Sequence, residues 1–341
     1  MVTSASILGC GGLTLSAEEK AFFSDVAPWG FILFARNIDT PDQVRRLVDE
    51  LRATVDRADA PVLIDQEGGR VQRLGPPHWR RYPPGRAYGE LSANDPLLRR
   101  EITRLGARLL AHDLAALGIN VDCVPVLDVP VEGAHEIIGD RAYARTPEGV
   151  ALLGRAACEG LIAGGVLPVI KHIPGHGRAT ADSHLDLPVV DAAYEDLDTR
   201  DFAPFKMLSD MPMAMTAHVV YAAVDRRKPA TTSKKVMRDV IRGAIGFDGL
   251  VMSDDLSMKA LGGAFADRAR ASLAAGCDVV LHCNGDMGEM KQVIAGTKAL
   301  SGQALRRAKA AMGRLAKVRE PFDLNEALAR FDAAFEGRWA A

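Results

Sequence analysis

Charged and imidazole side chains follow several short apolar runs of this chain, each at the point where the run ends. In chain order these polar groups are Asp65 to Arg70, Lys171 with His172, His218, Ser253 to Asp255, and His282 to Asn284. Carboxylates and imidazoles can serve as nucleophile, general acid or general base. A lone Asp after a strand is often only the N-cap of the next helix, and a lone His is often a satisfied core residue. Five such clusters together favour an active site.

The polar segment 171–184 contains three histidines, one aspartate and two glycines. Its polarity and its glycines predict an exposed loop. Asp182 and His184 lie two residues apart, close enough for the carboxylate to hold the imidazole. Such a contact fixes the tautomer of the ring, raises its pKa and favours a protonated donor. The pair therefore suggests a general acid.

The same segment also allows a metal site. His172, His176, Asp182 and His184 could be ligands, which makes a metal-dependent hydrolase on a barrel one alternative. Their spacing matches no defined metal motif, and Lys171 beside the first histidine would repel a cation. We therefore expect no metal at this site.

The elements that would position these residues are eight short apolar runs, each bounded by Gly, Pro or Asp, which predict strands. The runs are Ala5–Leu8, Phe31–Phe34, Pro61–Ile64, Val121–Val124, Leu167–Ile170, Met213–Ala217, Leu250–Met252 and Val279–His282. Helix signals separate them. Ser16 and Glu19 form a capping box, and Thr40, Pro41 and Gln43 mark a second helix start.

Eight strands that alternate with helices predict an α/β fold with a parallel sheet, and a single (β/α)8 TIM-type barrel fits the count. An open doubly wound sheet is the alternative fold. Residues 9–12, Gly-Cys-Gly-Gly, lack the spacing of a dinucleotide fingerprint, so we expect no nucleotide cofactor. In a barrel, the polar groups at the strand ends share the C-terminal rim, where active sites lie.

The composition is that of an ordinary globular chain with a formal net charge of -2, which gives no electrostatic case for nucleic acid or an anionic membrane. Five cysteines without CxxC spacing indicate reduced thiols. The N-terminus has no basic region typical of a secretory signal, and no apolar run approaches the roughly 20 residues of a membrane span. We expect one cytoplasmic domain over residues 1–341, with helices from about residue 301 outside the barrel and no obligate protein partner.

Several segments together resemble the bacterial family 3 β-N-acetylglucosaminidases of peptidoglycan recycling, in the family's order and over most of the chain. They are GFILFARN (30–37), IDQEGGRVQR (64–73), IGDRAY (138–143), KHIPGHG (171–177), DSH (182–184) and SDDLSM (253–258). The family has a (β/α)8 barrel, in agreement with the strand count. Gln66 and Ile173 depart from the His and Phe common in the family, at positions that carry no chemistry there.

The resemblance implies a role for each site residue. Asp254 is the implied nucleophile that forms a glycosyl-enzyme, and His184 is the implied proton donor and acceptor, oriented by Asp182. The residues implied to bind the sugar hydroxyls are Asp65, Arg73, Arg141, Lys171 and His172.

The activity implied by the resemblance is a retaining exo-β-N-acetylglucosaminidase that releases terminal β-1,4-linked N-acetylglucosamine from anhydro-muropeptides. The substrate is then a small carbohydrate, with no cofactor. A catalytically silent sugar-binding barrel is a further alternative, although a binder needs no nucleophile. Phosphate could also replace water as the attacking group, because a histidine would not repel that anion as a second carboxylate would.

Overall fold

The computed structural model describes residues 2–92, 94–133, 136–179, 187–315 and 319–339. Within these ranges, eight parallel strands close into a barrel. They are β1 (Ser4–Gly9), β2 (Pro28–Leu33), β3 (Val62–Ile64), β4 (Val121–Asp122), β5 (Leu167–Ile173), β6 (Met213–Thr216), β7 (Leu250–Asp255) and β8 (Val279–His282). Each strand pairs with the next one along the chain.

The barrel closes because β8 pairs with β1, with Leu281 opposite Ile7 and His282 opposite Leu8. The predicted barrel is therefore confirmed, and the alternative of an open doubly wound sheet is wrong. Every predicted apolar run forms one of the eight strands, with end positions that shift by a few residues.

Two strands continue beyond their apolar runs into charged residues. β5 continues through Lys171 and His172 to Ile173, and β7 continues through Asp254 to Asp255. The prediction that segment 171–184 is an exposed loop is therefore wrong for its first part, since Lys171 and His172 are buried strand residues. Lys171 can extend a buried strand because the carboxylates of Asp65 and Glu67, which follow β3, neutralise its charge.

Helices surround the barrel. The described α- and π-helices are Ala17–Val26, Pro41–Val55, Gly85–Gly89, Pro96–Ala116, Pro147–Ala163, Tyr194–Asp196, Leu197–Asp201, Ala203–Met207, Val236–Ala244, Phe265–Ala275, Met287–Gly296, Gly302–Met312 and Leu324–Ala334, and the described 3₁₀ helices are Ala35–Asn37, Gly139–Arg141 and Ala230–Thr232. Short strands pair Gln66–Gly68 with Val71–Gln72, and Val189–Val190 with Val220–Tyr221. In the described part of the chain, no helix is both long enough and apolar enough to cross a membrane.

The helix starts follow the predicted caps. Ser16 and Glu19 form the reciprocal capping box. Thr40 Oγ1 accepts a hydrogen bond from the Gln43 main-chain N–H at 3.3 Å. The side chain of Gln43, however, accepts from the N–H of Asp39 at 2.9 Å, so this second box closes one residue earlier than predicted.

Side chains alternate between the inside of the barrel and the helical layer. Along β1, Ile7 packs in one apolar cluster with residues of other strands such as Leu63 and Leu281. Its neighbour Leu8 packs with Val44 and Leu47 of the helix Pro41–Val55. The apolar interior fills the barrel below its C-terminal rim, so the polar groups collect at that rim.

Candidate active site

A cavity of about 330 Å³ opens at the C-terminal ends of the strands. Its lining includes every predicted site residue that lies within the described ranges: Asp65, Arg73, Arg141, Lys171, His172 and Asp254. Asp182 and His184 lie outside the described residues. The barrel thus brings together side chains from four separate sequence motifs.

Five charged side chains form a continuous series of ion pairs on one side of this cavity, which we call the charge chain. Arg73 Nη2 lies 3.2 Å from Asp65 Oδ2, and Asp65 Oδ1 lies 2.8 Å from Lys171 Nζ. Lys171 Nζ is also 2.8 Å from Glu67 Oε1. Arg141 donates to both carboxylate oxygens of Glu67, through Nη2 at 2.8 Å and Nε at 2.9 Å.

The members of the charge chain keep one another ionised. Burial alone would raise the pKa of Glu67, but Arg141 and Lys171 hold it well below its usual range. Burial likewise opposes ionisation of Lys171, whereas the carboxylates of Asp65 and Glu67 raise its pKa well above the ordinary value. Three cations and two carboxylates leave one net positive charge. Such fixed, charge-assisted donors and acceptors suit the hydroxyl groups of a polar ring.

His172 is oriented by Asp128, a fully buried residue that follows β4. Asp128 Oδ2 lies 2.6 Å from His172 Nδ1, and its Oδ1 accepts the main-chain N–H groups of His172 at 3.2 Å and His176 at 2.6 Å. Although burial raises the pKa of Asp128, the two histidines lower it below the ordinary value, so the carboxylate is ionised and accepts. His172 Nδ1 therefore carries a proton, and Nε2 is the nitrogen left for a ligand.

Asp254 lines the same cavity near the end of β7. Its Oδ1 accepts the main-chain N–H of Asp255 at 2.8 Å, which orients the carboxylate and leaves Oδ2 outside that bond. Burial would raise the pKa of Asp254, but His218, His172, the Asp255 N–H and Lys171 lower it below the ordinary value. The carboxylate is therefore an anion at neutral pH.

Asp255 has a different role from its neighbour. Its Oδ1 accepts the main-chain N–H groups of Ser257 at 3.0 Å and Cys283 at 3.1 Å, and its Oδ2 accepts from the Ser257 hydroxyl. These bonds connect the ends of β7 and β8. Asp255 is therefore a structural partner that holds the two strand ends together.

Three polar residues near the site lie away from the cavity lining. Gln66 is fully buried, and its Oε1 accepts the main-chain N–H groups of Arg73 and Leu74 at 2.9 and 3.0 Å. This side chain braces the hairpin after β3. His218 is buried behind Asp254, and His282 is buried with Nε2 3.3 Å from Glu289 Oε2. The structure does not place these two histidines at the cavity surface.

The metal alternative used His172 and His176, whose ring centroids are 5.7 Å apart. Its other two residues, Asp182 and His184, lie outside the described ranges. Among the residues described, no group of three or more His, Cys, Asp or Glu side chains is arranged to hold a metal ion.

Sequence reasoning missed two residues of the site. Asp128 follows an apolar stretch, Pro125–Leu127, after the predicted fourth strand, and that position was the available signal. Glu67 stands in the same motif as Asp65, and its carboxyl group is of a type that can serve as a general acid. Its pairing with Arg141 and Lys171 instead keeps it ionised, so it cannot deliver a proton at neutral pH.

Comparisons with known proteins agree with this architecture. The family model described as glycosyl hydrolase family 3 N terminal domain matches residues 8–318. The β-hexosaminidase of Methylococcus capsulatus is 42% identical over 277 residues, which cover 80% of each chain. The crystal structure of NagZ from Neisseria gonorrhoeae in complex with N-trifluoroacetyl-D-glucosamine has a TM-score of 0.87 at 33% identity, over 98% of each chain. The same protein in complex with zinc ion has a TM-score of 0.86 at 32% identity, also over 98% of each chain.

Proposed function

This chain belongs to glycosyl hydrolase family 3 and is a glycoside hydrolase of the β-hexosaminidase type, and on that premise we propose that it is a retaining exo-β-N-acetylglucosaminidase. The observation that carries this proposal is the ionised carboxylate of Asp254 at the cavity surface beside the charge chain. A nucleophile for glycoside cleavage must be an anion in front of a bound sugar, and this carboxylate meets both requirements.

In the first step, Asp254 attacks the anomeric carbon of N-acetylglucosamine through an oxocarbenium-like transition state. The bond from this carbon to the leaving oxygen breaks as the bond to the carboxylate forms. His184 gives its proton to the leaving oxygen, and Asp182 holds the imidazole for that transfer. The acid therefore comes from the segment after β5 rather than from a second carboxylate.

In the second step, water attacks the same carbon of the glycosyl-enzyme while His184 takes back a proton. Asp254 leaves as a carboxylate, and the sugar is released with its β configuration retained. Because the pKa of Asp254 is held below the ordinary value, the carboxylate is a good leaving group in this step.

The charge chain and His172 bind the sugar hydroxyls in this proposal. The cavity of about 330 Å³ lies at the low end of the range of about 300–1,000 Å³ for small-molecule sites, which favours one terminal ring over an internal segment of a chain. The Neisseria relative crystallised with an N-acylated glucosamine derivative, which supports N-acetylglucosamine as that ring.

We further propose that the natural substrates are anhydro-muropeptides and that the enzyme acts in peptidoglycan recycling in the cytoplasm. The sequence resemblance supports the substrate class. The five cysteines are all free and buried, which agrees with a reducing compartment.

The proposal is tested by following the anomeric configuration of the released sugar by NMR during hydrolysis of a nitrophenyl β-N-acetylglucosaminide. The β anomer should form first, and initial release of the α anomer would overturn the retaining mechanism. The nitrophenyl β-glucoside is the control substrate, and it should react far more slowly.

The nucleophile is tested with Asp254→Asn, which keeps the shape of the side chain and removes its charge. Turnover should fall by several orders of magnitude while calorimetry still detects binding of N-acetylglucosamine. A folded Asp254→Asn variant with near-normal turnover would show that another residue is the nucleophile.

A further inference from the structure

Behind Asp254, five residues form a closed ring of hydrogen bonds that the proposed reaction does not use. Its members, which we call the imidazole–hydroxyl ring, are Asp254, Thr216, Thr231, His218 and Asp255. The main-chain N–H of Asp254 donates to Thr216 Oγ1 at 3.4 Å, and Thr216 Oγ1 lies 2.8 Å from Thr231 Oγ1. Thr231 Oγ1 is 2.7 Å from His218 Nδ1, and His218 Nε2 is 3.0 Å from the Asp255 carbonyl oxygen.

Two main-chain groups, the N–H of Asp254 and the carbonyl of Asp255, fix the direction of every hydrogen bond in this ring. The Asp255 carbonyl can only accept, so His218 Nε2 carries a proton and donates it. Burial lowers the pKa of His218, although Asp254 and the Asp255 carbonyl oppose that shift. The imidazole of His218 is therefore neutral. A neutral imidazole with its proton on Nε2 accepts at Nδ1, so the Thr231 hydroxyl donates to it.

The directions of the two hydrogen bonds of Thr216, to Thr231 and to Asp254, follow from these assignments. Since the Thr231 proton is committed to His218, Thr231 Oγ1 accepts from the Thr216 hydroxyl. Thr216 Oγ1 in turn accepts from the Asp254 N–H, which can only donate. Thr231 Oγ1 also lies 3.2 Å from the Ala217 carbonyl, a longer contact than the 2.7 Å to His218 Nδ1. One consistent set of donors and acceptors therefore closes the ring.

We propose that His218 is a positioning residue for the nucleophile, an inference that rests on the proposed role of Asp254. The imidazole–hydroxyl ring holds the N–H of Asp254 and the carbonyl of Asp255, the two outer main-chain groups of this dipeptide. Between them, the Asp255 N–H donates to Asp254 Oδ1 at 2.8 Å. Fixing the dipeptide backbone thus fixes the donor that orients the attacking carboxylate.

Because the imidazole–hydroxyl ring is buried, its hydrogen bonds can hold the backbone of Asp254 and Asp255 in place. Thr216, Thr231 and His218 are completely inaccessible to solvent, so water cannot replace a lost partner. The side chain of Asp255 is anchored separately to Ser257 and Cys283, so the strand end should persist when the ring is broken.

The ring and the charge chain share no residue. Loss of the ring should therefore reduce the rate of attack, which depends on the placement of the nucleophile, and spare the affinity for the sugar. A purely structural role would instead change stability alone or would weaken sugar binding together with turnover.

The decisive experiment compares Thr231→Val, Thr231→Ser and Thr103→Val. Thr103 is a matched control, because its buried hydroxyl donates to the Arg99 carbonyl at 2.7 Å within the helix Pro96–Ala116, away from the cavity. Thr231→Val should lower kcat on the nitrophenyl β-N-acetylglucosaminide by about 10-fold or more, since small misplacements of reacting groups are costly. The KM and the Kd for N-acetylglucosamine should stay within about twofold.

Thr231→Ser keeps the hydroxyl and should restore kcat, while Thr103→Val should match the unmodified enzyme. Two variants of His218 test the ring independently. His218→Gln can still place an amide N–H towards the Asp255 carbonyl, whereas His218→Ala removes both bonds. We expect His218→Gln to keep more of kcat than His218→Ala.

Two results would overturn the inference. One is a kcat for Thr231→Val equal to that of Thr103→Val, and the other is a loss in Thr231→Val that Thr231→Ser does not restore. Asp254→Asn separates this failure from failure of the proposed function. An inactive Asp254→Asn together with an unaffected Thr231→Val would reject only the ring, whereas an active Asp254→Asn would reject the nucleophile itself.

Discussion

Glu67→Gln should weaken sugar binding and the fold while leaving the chemical step largely intact. The Glu67 carboxylate lies between Arg141 and Lys171, with three contacts of 2.8 to 2.9 Å and a side chain only 7% exposed. The amide of Gln is neutral and has one acceptor oxygen for two cations. Its NH₂ group must face a donor, so at least one of these cations loses its partner.

The size of the effect follows from these contacts. Removing one partner of a buried ion pair costs about 3–5 kcal/mol of stability. A charged hydrogen bond is worth about 1.5–3 kcal/mol, so misplacement of Arg141 or Lys171 should weaken N-acetylglucosamine binding by about 10- to 150-fold. Glu90→Gln is the control, because Glu90 is exposed and lies 3.9 Å from Arg86. Such a surface pair is worth about 0–1 kcal/mol.

The pH dependence of stability gives a second measurement. The pKa of Glu67 in the folded protein lies below its unfolded value of about 4.3, so its stabilising effect is complete above that pH. The effect declines as the pH falls from there towards the folded-state pKa. The difference in unfolding free energy between the parent and Glu67→Gln should therefore be largest at neutral pH and shrink in acid.

Calorimetry with N-acetylglucosamine and denaturant unfolding at several pH values measure both effects. If Glu67 were instead the proton donor, Glu67→Gln would keep its sugar affinity and lose activity mainly on substrates with poor leaving groups. Unchanged sugar affinity and unchanged stability in Glu67→Gln would show that Glu67 does not hold Arg141 and Lys171 in place.

Three further predictions concern the acid, His172 and metal dependence. His184→Ala should lose most of a factor of about 10² to 10⁴ on the natural disaccharide and much less in glycosylation by a nitrophenyl substrate, because nitrophenolate needs no proton. Pre-steady-state kinetics across leaving groups of graded pKa check this, and equal losses throughout would assign the proton to another residue. Asp128→Asn should lower kcat/KM by about 10- to 150-fold, because the charged bond that orients His172 is lost, and unchanged kcat/KM would contradict that role. Treatment with a chelator should leave kcat unchanged, whereas a loss that added zinc reverses would favour the metal-dependent alternative.

The sequence alone determined the class of fold and the general position of the site. Each of the eight strands contains all or part of an apolar run bounded by Gly, Pro or Asp, and caps such as Ser16 and Thr40 set the helix starts. These are local signals, because they depend on neighbouring residues and on the periodicity of apolar side chains. Since parallel strands in a barrel end on one rim, the same signals also predict that polar strand ends converge.

Only the tertiary structure decided which polar residues pair and where the strands end. Lys171 meets Asp65 from 106 residues away, and that pairing is what allows β5 to continue through a charged residue. Asp128 is a single polar residue in an apolar stretch, whereas Thr231 begins a polar run over residues 231–235, and neither residue carries a local motif. Their roles arise because burial removes water as a partner, so each must bond to whatever group the closed barrel places beside it. That neighbour is set by strand order and register, which the local sequence does not contain.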